Sequence, residues 1–69
     1  MAYYKDLLPM GERIKKARKK AGFTVRSLGA ACNIDYGHIS RLENGQSNCY
    51  ILTLIDIANV LGCDVKDFL

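Results

Sequence analysis

The chain has no tryptophan, one proline, one histidine and no long apolar run. No stretch approaches the roughly 20 apolar residues of a membrane span. The N-terminus, which carries Asp6 and lacks a long apolar core, does not resemble a signal peptide. We therefore expect a cytoplasmic protein with no contact to a membrane.

The three cysteines, Cys32, Cys49 and Cys63, form no C-x-x-C pair, and the single His38 is distant from all of them. Zinc sites usually have closely paired ligands, so no metal is predicted and the cysteines are expected to be free thiols that act as small apolar residues. Redox sensing by these thiols would need an exposed site with a low pKa.

The scarcity of catalytic residue types also argues against an enzyme. The sequence has no nucleophile and base arrangement, no metal-ligand spacing and no glycine loop that would cradle phosphate. No catalytic residue and no cofactor are predicted.

The 69 residues are enough for one domain, with a net positive charge and an ordinary content of apolar residues. A domain of this size buries only about 60% of its unfolded surface, so dimerisation or ligand binding would help its stability. Residues 1–47 have a net charge of +5 and residues 48–69 a net charge of −2. The basic end suits a polyanion, although a solvated lysine-rich helix explains it equally well.

Apolar periodicity predicts an all-α protein. Residues 1–9 are predicted to form an N-terminal arm that Pro9 separates from the first helix. The predicted helical segments are residues 10–21, 25–31, 36–44 and 50–61, with a last turn at 65–69.

The central stretch FTVRSLGAACNIDYGHISRLENG reads as two short helices joined by a turn of about four residues. Thr24 and Asp35 are predicted N-caps of the two helices, and Asn33 tolerates the positive φ of a turn. The small Gly29 lets a neighbouring element approach closely. This spacing, over residues 24–44, is that of a helix-turn-helix.

A helical wheel of the second of these helices divides its residues into two faces. Ile39 and Leu42 point inward, and His38 lies on the flank. The flank and the outward face also hold the candidate binding residues: Tyr36, Gly37, Ser40, Arg41 and Asn44.

Two charged residues fall at the edges of buried stripes. Arg18 lies about 40° from Ile14, and Glu43 lies about 40° from Ile39. A buried charge needs a partner, so Arg18 and Glu43 are predicted to form a structural ion pair.

The segment 50–61 is apolar on more than one face. Its predicted core stripe is Ile51, Leu54, Ile57, Ala58 and Leu61. The surplus residues Leu52, Ile55 and Val60 are expected either to pack under the N-terminal arm or to form a subunit interface.

With HISRLENG followed by IANVLGCDVKDFL, the chain from Met10 to Leu69 resembles the phage-repressor type of helix-turn-helix protein, the lambda-repressor and Cro-like transcriptional regulators. The resemblance implies a compact five-helix domain, encoded by a bacterium or phage. It also implies a homodimer that places its third helix in consecutive major grooves of a palindromic operator in double-stranded DNA.

Carried over by position, the resemblance implies base contacts by Tyr36, Gly37 and Arg41. It implies contacts to the DNA backbone by Thr24, Arg26, Ser40, Asn44 and Gln46.

Two departures from the family pattern affect these expectations. Val25 stands where glutamine is usual, and valine cannot hydrogen-bond phosphate or brace the recognition helix, which leaves the phosphate contact to Thr24, Arg26 or backbone amides. The sequence Asn48-Cys49-Tyr50 replaces Asn-Pro-Ser at the start of the fourth helix. The expected dimer interface is Cys49, Tyr50, Leu52 and Ile55.

The leading interpretation is a transcriptional repressor that occupies a promoter. The alternative is an antitoxin-like or adaptor protein that grips a protein partner through Leu52, Ile55 and Val60 and binds DNA secondarily.

Overall fold

The computed structural model of the chain describes residues 3–47 and 51–69, and all regular structure in these ranges is helical. This confirms the prediction of an all-helical protein. The expected count of five helices is not confirmed, because the described residues form four α-helices and the last predicted helical segment is a single turn of 3-10 helix. The elements are α1 (Tyr3–Lys20), α2 (Val25–Cys32), α3 (Tyr36–Glu43), α4 (Ile51–Leu61) and the 3-10 turn (Val65–Phe68).

Helix α1 begins at Tyr3 and contains Pro9 in its interior, so the predicted break at Pro9 is wrong. A proline inside a helix removes one backbone hydrogen bond and crowds the preceding turn, at a cost of about 3 kcal/mol, but it leaves the other hydrogen bonds in place. Its fixed φ of about −65° is itself helical. Proline therefore weakens this helix without ending it.

The cap positions and the turn residues around α2 and α3 lie where the sequence predicts them. Thr24 caps α2 with extended backbone angles, and Asn33 ends α2 in the left-handed conformation with φ 57°. Asp35 occupies the N-cap position of α3, although its carboxylate does not bond the described first turn of that helix. Gly45, with φ 71°, follows the last turn of α3.

Eight apolar side chains form the core beneath these helices. They are Ile14, Leu28, Ile39, Leu42, Leu54, Ile57, Ala58 and Phe68. Phe68 comes from the 3-10 turn, which Arg13 also ties to α1 by donating a hydrogen bond from Nη1 to the carbonyl of Leu69 at 2.6 Å. The C-terminal turn thus closes the core between α1 and α4.

The core stripe predicted for α4 is wrong at Ile51, which is 53% exposed. Val60, predicted as surplus, packs partly buried against the core. Periodicity identifies the apolar sides of a helix, but α4 is apolar on several sides. Its neighbours decide which side is buried.

Helix α1 crosses the end of α3 at very short range. A Cβ atom on Gly11 would lie 2.2 Å from the Leu42 carbonyl oxygen and 2.6 Å from that of Glu43. Only glycine allows this approach, which fixes where the last turn of α3 sits.

In residues 3–47 and 51–69, no helix is long and apolar enough to cross a membrane.

Candidate nucleic-acid interface

The outward side of α3, with its flank, is an exposed surface that we call the reading face: Tyr36, Gly37, Ser40, Arg41 and Asn44. Tyr36 is 47% exposed. Arg41 and Asn44 are exposed, and Gly37 and Ser40 are partly buried. The structure therefore places the four predicted residues of α3 and its C-cap residue Asn44 along one side of the helix. His38 is partly buried, in agreement with its predicted place on the flank.

An ion pair at the C-terminal end of α3 anchors this helix to α1. Arg18 donates from Nε to Glu43 Oε2 at 2.6 Å and from Nη2 to Glu43 Oε1 at 3.1 Å. Its Nη1 donates to the carbonyl oxygen of Phe23 at 2.8 Å. The pair predicted from the helical wheel is thus present, and it also holds the turn between α1 and α2.

The beginning of α2 is ordered by a reciprocal cap. The backbone N–H of Ser27 donates to Thr24 Oγ1 at 3.0 Å, and the backbone N–H of Thr24 donates to Ser27 Oγ at 2.8 Å. Two backbone donors of the helix start are thereby satisfied. The Thr24 hydroxyl is thus engaged in the cap of α2, and the neighbouring Arg26 side chain is exposed.

A contact that the sequence analysis missed joins the two helices of the motif. The guanidinium carbon of Arg26 lies 4.7 Å from the centroid of the Tyr36 ring, within the range of a cation–π interaction. Arg26 is exposed near the start of α2, and Tyr36 is the first residue of α3. The ten-residue separation gave no helical periodicity that would have revealed this pair.

Gly29 sets the spacing that makes the contact possible. A Cβ atom at residue 29 would lie 2.7 Å from the Ile34 carbonyl oxygen and 3.2 Å from Tyr36 Cα. Since both neighbours are backbone atoms, a larger side chain would push α2 away from the start of α3. The prediction that Gly29 admits a close neighbour is confirmed.

Gly37 lies close to the charged side chains of Asp35 and Arg41. A Cβ atom at this position would lie 2.9 Å from Asp35 Oδ2 and 3.5 Å from Arg41 Nη1. Arg41 thus extends back along α3 toward Gly37. Beyond the helix, the backbone N–H of the exposed Gln46 donates to the Arg41 carbonyl oxygen at 2.9 Å, which closes the last turn of α3.

An apolar patch lies on α4, outside the core. We define the α4 patch as Ile51, Leu52 and Ile55, of which Leu52 is 71% exposed and Ile55 is partly buried. The other two predicted interface residues, Cys49 and Tyr50, lie outside the described residues.

Two of the cysteines, Cys32 and Cys63, are partly buried free thiols with a raised pKa. Burial, reinforced by Asp56, raises the pKa of the Cys32 thiol. Burial also raises the pKa of Cys63, with added contributions from Asp67 and Asp64. A raised pKa reduces the fraction of reactive thiolate.

In residues 3–47 and 51–69, no group of three or more His, Cys, Asp or Glu side chains is placed to hold a metal ion.

Known proteins share both this sequence pattern and this fold. The helix-turn-helix family profile matches residues 14–68. The HTH-type transcriptional regulator DdrOP3 of Deinococcus deserti is 31% identical over 58 residues. That match covers 84% of this chain but 45% of the relative, so the chain spans less than half of that protein's length.

Three solved structures are similar in fold. The restriction-modification controller protein C.AhdI from Aeromonas hydrophila has a TM-score of 0.92 at 22% identity, with both chains fully covered. The clp gene regulator ClgR from Corynebacterium glutamicum has a TM-score of 0.84 at 28% identity, over 88% of this chain and 65% of that one.

The third is the master regulator for biofilm formation SinR, whose structure was determined in complex with DNA. Its TM-score is 0.79 at 32% identity, and the match covers 86% of this chain and 98% of the SinR chain in that structure. The chain therefore belongs to the helix-turn-helix family of DNA-binding transcriptional regulators of the Cro/C1, or lambda-repressor-like, type.

Proposed function

We propose that this chain is a sequence-specific repressor that binds a palindromic operator as a homodimer, with α3 in the major groove. The observation that carries the proposal is the reading face, which presents Tyr36, Gly37 and Arg41 on the accessible side of a short, anchored helix. An α-helix fits the major groove, where each base pair shows a distinct pattern of donors and acceptors.

Within this proposal, Arg41 is the principal base contact. Its guanidinium can donate two hydrogen bonds to O6 and N7 of a guanine, worth about 1–3 kcal/mol of discrimination. Gly37 lets the α3 backbone approach the bases, and Tyr36 offers an apolar ring to a thymine methyl group. The contacts assigned to the DNA backbone are Thr24, Arg26, Ser40, Asn44 and Gln46.

The α4 patch is the proposed dimer interface, together with Cys49 and Tyr50. Leu52 projects into solvent at 71% exposure, and a large exposed apolar side chain beside a second one is typical of an interaction surface. A two-fold dimer would place two reading faces about one helical turn of DNA apart, at about 34–36 Å. The operator would then be a palindrome, and its occupation would block a promoter in the cytoplasm.

Selection of bound sites from a random DNA pool tests the DNA-binding part of this proposal. We expect an inverted repeat whose half-sites are about 10 base pairs apart, centre to centre. Recovery of no preferred sequence, with uniform affinity for all DNA, would contradict sequence-specific binding.

Analytical ultracentrifugation tests the dimer. Leu52→Glu should shift the protein from dimer to monomer, because the new carboxylate would be buried against the partner. Lys15→Gln, which changes the net charge by the same amount at an exposed position of α1, is the matched control and should remain dimeric. A Leu52→Glu protein with wild-type dimer affinity would exclude the α4 patch from the interface.

The α4 patch also supports a second candidate function, an antitoxin-like or adaptor protein that binds another polypeptide. In that case the chain alone would sediment as a monomer at every concentration, and it would form a stoichiometric complex with a co-purified partner. Loss of that complex on Leu52→Glu would favour this candidate.

A further inference from the structure

We propose that Arg26 is a positioning residue for Tyr36, and that the two side chains act as one unit that recognises the methyl group of a thymine. The inference rests on the proposed function and deepens it. It assigns to Arg26 a role in specificity beyond the phosphate contact expected of an arginine at the start of α2.

The geometry of the pair is set by backbone contacts. The Arg26 guanidinium lies 4.7 Å from the Tyr36 ring centroid. The two helices that carry these residues approach at Gly29, where a Cβ atom would lie 3.2 Å from Tyr36 Cα. The stacking partners are therefore held at a fixed separation, and the side chains need only adopt one rotamer each.

The stack restricts a side chain that would otherwise be mobile. Tyr36 is 47% exposed at the first position of α3, where few neighbours limit its rotamers. A cation over an exposed ring favours the stacked state by about two- to fivefold. Arg26 thus orders the ring before DNA arrives, which reduces the entropy lost on binding.

The chemistry of the ordered ring indicates its target. With the guanidinium over the ring, the Tyr36 side chain is still 47% exposed, so that part of its surface remains to contact DNA. Thymine is the base that presents an apolar methyl group in the major groove, and that methyl group suits an aromatic surface. The Arg26–Tyr36 contact also supplies a link between α2 and α3 at a motif start where Val25 has no polar group to make one.

The test replaces each thymine of the selected operator in turn by deoxyuridine, which removes only the methyl group. Wild-type protein should lose affinity about three- to fourfold at one thymine per half-site, the value of about one buried methyl group. Tyr36→Leu should abolish this loss, Tyr36→Phe should retain it, and Arg26→Ala should reduce it to less than twofold. Arg26→Lys, which keeps the charge, should retain part of it.

The matched control is Lys19→Ala, which removes one exposed cation from α1. It should weaken thymine and uridine operators equally and leave their ratio unchanged. If Arg26→Ala behaves in the same way, Arg26 is a phosphate contact only and the positioning role is excluded. If no variant or wild-type protein prefers any operator, the proposed function itself fails.

A measurement without DNA separates these two failures. In the free protein, the ring current of Tyr36 should move the Arg26 side-chain proton resonances upfield in NMR spectra, and Tyr36→Leu should return them to ordinary positions. Unshifted Arg26 resonances in wild-type protein would overturn the stack, whatever the outcome of the DNA experiments.

Discussion

Arg18 and Glu43, which lie 25 residues apart in sequence, form a bidentate ion pair with Nε and Oε2 separated by 2.6 Å. Arg18 is 7% exposed and Glu43 5% exposed. The pair links α1 to Glu43, the last residue of α3. Its hydrogen bonds, with the one to Phe23, satisfy polar atoms whose burial would otherwise destabilise the fold.

We therefore expect Arg18→Met and Glu43→Gln each to lower the free energy of unfolding by about 3–5 kcal/mol, since each leaves the other partner buried and uncompensated. The combined variant should lose less than the sum of the two, because no isolated charge remains. Calorimetric melting of the three variants measures this coupling. Neutral single variants would show that the pair contributes nothing to stability.

Gly11→Ala should destabilise the protein. The new Cβ would lie 2.2 Å from the Leu42 carbonyl oxygen, and a backbone atom cannot move aside as a side chain can. Overpacking costs up to about 3 kcal/mol, and a 2.2 Å contact with backbone belongs at the upper end of that range, which outweighs the gain of about 1 kcal/mol in helix propensity.

Gly37→Ala is the matched control for Gly11→Ala, because its Cβ would meet the flexible carboxylate of Asp35 at 2.9 Å. We expect unchanged or slightly raised stability for this variant by urea denaturation. Equal destabilisation of both variants would mean that the contact between Gly11 and α3 has no special role. Under the proposed function, Gly37→Ala should nevertheless weaken operator binding.

Arg41→Ala should lose discrimination at one base pair of each half-site, by a factor that corresponds to about 1–3 kcal/mol. Lys19→Ala should weaken binding to all sequences evenly and reduce its salt dependence. Competition binding with single-base operator variants at fixed salt distinguishes the two. A uniform loss for Arg41→Ala would reassign this residue to the phosphate backbone.

Cys32 and Cys63 should react slowly with iodoacetamide at neutral pH, because burial raises the pKa of each thiol and suppresses the thiolate. The measurement uses Cys49→Ser protein and compares alkylation rates with and without denaturant by mass spectrometry. Rates that are equal in both states would contradict the raised pKa values.

The same shifts give a sign for the pH dependence of stability. The folded state holds the thiol protons more tightly, so the unfolded thiols ionise first as the pH rises. The contribution of these cysteines to the free energy of unfolding is therefore complete below the ordinary thiol pKa of about 8.5 and declines as the pH rises above it. Cys32→Ala and Cys63→Ala should each flatten the fall in melting temperature between pH 8 and 10.

Features that depend on a few neighbouring residues were predicted from the sequence. The cap at Thr24, the left-handed turn at Asn33 and the inward direction of Ile39 and Leu42 all follow from backbone preferences and helical periodicity. The pairing of Arg18 with Glu43 was also predictable. Each charge had to be buried by its place on its own helix, and burial requires a partner.

Tertiary structure alone decided the features that depend on contacts between different helices. Ile51 lies outside the core because the neighbours of α4 cover another of its apolar sides. The contact of Gly11 with α3 and that of Arg26 with Tyr36 join atoms from different helices. The sequence thus determined the helices and their caps, whereas packing in three dimensions determined which faces meet, since local periodicity contains no information about the partner.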